Sequence, residues 1–141
     1  MSCLSNLLTF FLCRVLRNYD DYSITILDLV TLWMLGDRWC IPAFQNTLMR
    51  QLDIDFVLPG SNNDLQQVLA AAYESVKTTP LQEYFLDTLI YYVEEYRTNF
   101  STWADLLPDG MLREFINKDL RRRWDGTDSV DLDVENYLVA E

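Results

Sequence analysis

Apolar residues recur along this chain at the spacing of helix faces. Leu65, Val68, Leu69, Ala72, Tyr73 and Val76 follow the i, i+3, i+4, i+7, i+8, i+11 order, with Gln66, Gln67, Glu74 and Lys77 turned away. Thr79-Pro80-Leu81-Gln82 then reads as a helix start. Thr79 can cap it, Pro80 suits the first turn, and Gln82 can complete a capping box. The helix it opens sets Leu81, Phe85, Leu89, Tyr92, Val93 and Tyr96 on one side and Glu83, Asp87 and Glu94 on the other.

Three further stretches read the same way. Ser23 can cap a helix running to about Leu35 that is apolar on most of its circumference, leaving only Thr25, Asp28 and Thr31 as a polar stripe. A helix of that kind is expected to be buried on several sides. Gly36 lies near its end, and Ile41-Pro42 breaks the chain before a helix from about Ala43 to Leu52, with Phe44, Leu48 and Leu52 inward. After Pro108-Asp109-Gly110, a last amphipathic helix puts Leu112, Phe115, Ile116, Leu120 and Trp124 inward, and Arg121 to Arg123 complement its negative end. Leu7 to Val15 reads as a core helix. No basic residue precedes that run, as a secretory leader requires, and it is too short to span a bilayer. Residues 57–63 read as a loop, and a short helical turn is expected near 101–107. No block alternates like a strand, so the fold class is all-α, an irregular bundle of about six helices.

Composition changes this picture in three ways. The chain has 141 residues, half of them apolar, which suits one helical domain over 1–124. Residues 125–141 hold six acids and no base and read as a tail, disordered or loosely docked. Val130, Leu132, Val134, Tyr137 and Leu138 interleave with those acids and would carry the docking. With 11 basic and 22 acidic side chains the net charge is −11, which argues against a sequence-independent nucleic-acid binder.

The absence of histidine removes the Ser-His-Asp triad, the Cys-His dyad and imidazole zinc sites. Cys3, Cys13 and Cys40 form no Cys-x-x-Cys pair and sit among apolar neighbours, so they read as buried small hydrophobes in a reducing, intracellular setting. Glu94-Glu95 and Asp20-Asp21 are poor acid-base dyads, because neighbours on a helix point apart. No glycine-rich phosphate loop exists among the four glycines. The expectation is a non-enzyme with no cofactor and no metal.

Leu32-Trp33-Met34-Leu35-Gly36-Asp37-Arg38-Trp39-Cys40-Ile41-Pro42-Ala43-Phe44-Gln45-Asn46 resembles the helix-turn-helix near the end of BTB/POZ domains, in the form common among fungal proteins. The small residue permits close helix approach, an acid-base pair marks the helix end, and Ile-Pro fixes the turn. Tyr73, Thr78-Thr79-Pro80-Leu81-Gln82 and Leu86-Asp87 resemble the helical segment that follows. Together the two matches span about Ile24 to Tyr96. Gly36 and Trp39 stand where alanine and leucine-like residues are more usual.

The β-rich first half of such a domain, through which the family largely dimerises, is missing. The chain therefore resembles the carboxy-terminal portion of a BTB/POZ protein, truncated or diverged, and the resemblance does not by itself carry over dimerisation or ubiquitin-ligase adaptor activity. The resemblance implies a protein-interaction module with protein partners, no nucleic acid and no membrane. Trp33, Trp39 and Phe44 are its candidate anchors, and its acidic surface would steer basic partners. The alternative is a helical domain binding a small apolar ligand.

Overall fold

The computed structural model describes residues 25–56, 62–75, 77–95, 104–126 and 132–141. Among them 76% are helical and none lies in a strand, as the pattern predicts. Among the described residues there are five α-helices against the six or so expected: α1 (Ile26–Arg38), α2 (Pro42–Asp55), α3 (Asn62–Ala72), α4 (Pro80–Glu95) and α5 (Asp109–Asp125). A 3-10 turn, Val134–Tyr137, follows. Leu7 to Val15, Asp20-Asp21, Ser23, Cys3, Cys13 and Tyr96 lie outside the described residues.

The expected single helical domain divides into two compact units. The first joins the α1–α2 hairpin to residues 138–141, and the second runs from 62 through Tyr137. In the first unit α1 is capped by Thr25 rather than by Ser23. The Thr25 hydroxyl accepts from the Asp28 amide, and the Asp28 carboxylate accepts from the Thr25 amide, both at 3.1 Å. Both orphan groups are satisfied reciprocally. Leu29, Val30 and Trp33 of α1 are buried against Phe44, Leu48, Met49 and Leu52, the inner face of α2.

The turn between these helices differs from expectation in one residue. The Cys40 amide donates to the Asp37 carbonyl at 3.3 Å, and the Ile41 amide donates to the Gly36 carbonyl at 2.9 Å. This is the Schellman closure of a helix, which needs a left-handed residue just past the end. Cys40 supplies it at φ 55°, not Gly36. The side chain of Cys40 is consequently exposed, which corrects its reading as a buried small hydrophobe. Gly36 has another task. A Cβ there would lie 2.9 Å from Gln45 Cγ and 3.2 Å from Phe44 Cδ1. The missing side chain is what lets α2 come this close.

In the second unit α3 buries Leu65, Val68, Leu69 and Ala72, four of the six residues its periodicity singles out; Tyr73 is half-buried and Val76 lies outside the described residues. The α3–α4 turn is held by Gln82, though not through a capping box. The Gln82 amide donates to the Thr79 hydroxyl at 3.2 Å, as a cap should. Its side-chain amide instead donates to the carbonyls of Ala72 at 3.0 Å and Ser75 at 3.3 Å. One side chain thus satisfies orphan carbonyls at the end of α3 while its backbone opens α4. From Leu81 to Ile90 every residue of α4 except Glu83 is buried, Asp87 included. Of the expected polar side of that helix, Asp87 is covered and Glu83 is exposed.

The tail accounts for that cover, and residues 132–141 take the docked alternative, not the disordered one. Tyr137 is buried, its ring meeting Tyr84 edge-on at 5.3 Å and its hydroxyl donating to Asp87 Oδ2 at 2.7 Å. Asp133 accepts from the Glu135 amide at 3.1 Å and so caps the 3-10 turn. Asn46, in the first unit, exchanges two hydrogen bonds with the backbone of Val139, at 2.8 and 2.7 Å. Net charge misjudges this segment because its acids Asp133 and Glu135 are exposed while the aromatic ring that follows them, Tyr137, is buried.

Candidate protein-interaction face

The three expected anchors separate. Trp33 is 1% exposed and Phe44 2%, so both are core residues of the α1–α2 hairpin. Trp39 is 56% exposed beside the exposed Cys40. The structure does not bring the three to one surface. The polar residues of the same motif act structurally: Gln45 Nε2 donates to Asp37 Oδ1 at 3.4 Å.

The largest departure is on α5. Leu112, Phe115, Ile116, Leu120 and Trp124 are expected to face inward. Only Phe115 is fully buried, together with Met111, while Leu112 is half-buried. Ile116 is 45% exposed, Leu120 60% and Trp124 91%. Steps of four residues keep these three on one face, spanning about 12 Å along the axis at 1.5 Å per residue. They form an apolar ridge in water. Sequence reasoning placed the residues on one helix and misjudged their cover, because an apolar position three or four residues from a core residue can belong to either edge of the stripe.

The ridge is bordered by cations. Arg113, Arg121 and Arg123 are exposed. Arg123 Nε lies 3.2 Å from Asp119 Oδ2 on the same helix. Arg113 and Arg121 make no ion pair among the described residues. The opposite flank of α5 is engaged. Lys118 pairs with Asp87, the carboxylate that also accepts from Tyr137. Tyr73 lies 3.5 Å from Glu114 Oε2 and from the Gln82 carbonyl. Burial, and then the charge of Glu114, hold the Tyr73 phenol well above its ordinary value.

A groove of about 490 Å³ runs along this flank, lined by Thr78, Glu83, Leu86, Glu114, Asn117, Lys118 and Arg121. Leu86 is its one aliphatic residue, and four of its seven lining residues are charged. Among the described residues no group of three or more Cys, Asp or Glu could hold a metal ion. No described helix is long and apolar enough to cross a membrane. Comparison with family models, curated proteins and solved structures finds no match to this chain.

Proposed function

We propose that this chain is a non-catalytic protein-interaction module, related to the latter half of a fungal BTB/POZ protein and acting inside the cell through burial of apolar side chains. The exposed ridge Ile116–Leu120–Trp124 carries this reading. Three large apolar residues in a row on one helix face gain by being covered, at about 25 cal/mol per Å² removed from water. A tryptophan at the edge of such a face is the residue type most often found as a binding anchor.

The kinship rests on the sequence of the helix-turn-helix segment, in which the small residue Gly36 lies against Gln45 and Phe44. Within that segment Trp39 is the exposed candidate, and Trp33 and Phe44 serve binding only by shaping the hairpin.

The test is site-specific photocrosslinking in the full chain. A photoreactive residue at Leu120 is expected to give one discrete protein adduct. That adduct should re-form from purified components and vanish when Ile116 and Trp124 are both serine. A well-folded chain giving no adduct that reconstitutes would count against an interaction role for the ridge.

A further inference from the structure

We infer that the ridge of α5 receives an acidic amphipathic helix of a partner protein, an inference that rests on the protein-binding reading and names its partner's chemistry. The whole chain carries −11, yet this face is locally basic. Arg113 and Arg121 stand beside Ile116, Leu120 and Trp124, both exposed and neither in an ion pair among the described residues. The expectation that an acidic surface steers basic partners therefore inverts at this face.

A basic-apolar face complements a segment with apolar residues in the middle and carboxylates at its borders. The span of about 12 Å matches two turns of a partner helix, whose residues at i, i+3/i+4 and i+7 would lie along the three side chains. Arg113, exposed three residues before Ile116, offers a partner carboxylate a bidentate donor. Trp124 alone offers about 150–250 Å² for burial.

Two other occupants fit less well. A second copy of the chain would set the arginines of one ridge against those of the other. An anionic membrane surface suits basic amphipathic helices in general. Here only three arginines face out with the ridge, Arg123 is already paired with Asp119, and the surplus of acids elsewhere repels an anionic bilayer at long range.

The experiment uses the full chain and three fluorescent helix-forming peptides. All share leucines at i, i+4 and i+7, and the flanking positions are Glu, Gln or Lys. Anisotropy should show the Glu peptide bound with a dissociation constant on the order of ten micromolar, at least about tenfold tighter than its Gln twin. Raising the salt should weaken it. The double variant R113E/R121E should reverse the preference toward the Lys peptide, and the double variant L120S/W124A should lose all three. Both pairs are exposed, so their circular dichroism and melting should stay unchanged. Equal binding of the three peptides would overturn the acidic preference while leaving the protein-binding reading intact. Binding of the Glu peptide that survives L120S/W124A would overturn the ridge as its site. No binding of any peptide, or co-sedimentation with phosphatidylserine vesicles in its place, would overturn the inference; a reconstituted Leu120 adduct would still stand apart from that failure.

Discussion

Helix α1 carries eight large apolar side chains in 13 residues and α5 six in 17, and the largest of them meet opposite fates. In α1, Leu29, Val30 and Trp33 are almost inaccessible, and even the glycine at its end is buried against α2. In α5, Met111 and Phe115 are buried while Ile116, Leu120 and Trp124 stand in water. The difference is in the neighbours. α1 packs along α2, whose facing residues are apolar at matching spacing. Among the described residues α5 meets α4 along one flank, and that flank is partly polar, with Lys118 on Asp87 and Glu114 near Tyr73. Apolar spacing thus does not by itself imply core. A second apolar surface at the right distance has to exist, and where none does, the residue stays exposed.

Substitutions can break or sharpen this comparison. The largest effect is expected at Trp33→Ala, which empties a fully packed site and should cost about 3–5 kcal/mol in chemical denaturation. Tyr137→Phe should cost about 1–3 kcal/mol. It removes a 2.7 Å charge-assisted bond and leaves buried Asp87 with Lys118 alone. An unchanged denaturation midpoint would mean that the tail contributes nothing to α4.

Gly36→Ala is smaller and has two opposing parts. Alanine favours a helix by about 1 kcal/mol. Its Cβ would meet Gln45 Cγ at 2.9 Å and the Phe44 ring at 3.2 Å, both buried, and overpacking of this kind costs about 1–3 kcal/mol. The net expectation is a loss of about 1 kcal/mol, and a gain would show that α2 can retreat freely.

Tyr73 gives a pH effect of definite sign. Its folded-state value is raised, so the folded chain prefers the neutral phenol. Its contribution is complete below the ordinary tyrosine value of about 10 and is lost as pH rises beyond it. Tyr73→Phe should flatten the alkaline fall in stability relative to the parent. An identical profile would place the phenol in water. Last, Trp124→Ala should move stability by less than about 0.5 kcal/mol despite removing the largest side chain. A loss comparable with that of Trp33→Ala would erase the contrast between the two helices and the ridge with it.

Much of the local structure is legible in the sequence, because it depends on neighbours in the chain. Helix positions follow from apolar spacing, the α2 start from Pro42, and the α4 cap from Thr79. The close approach at Gly36 is also readable, since a small residue facing a helix leaves no other use for the space. The resemblance that singled out this segment named Trp33, Trp39 and Phe44 together, and nothing local separates the exposed one from the two in the core.

What the tertiary structure alone decided concerns which groups meet across long stretches of chain. The Gln82 side chain leaves its own helix start to satisfy carbonyls at the end of α3. Tyr137 finds Asp87 fifty positions away, and Val139 finds Asn46 ninety-three away. Ile116, Leu120 and Trp124 stay in water because no surface among the described residues covers them. Periodicity fixes the direction in which a side chain leaves its helix. Burial depends on what stands in that direction, and that is a property of packing between distant segments, which a pattern along the chain does not contain.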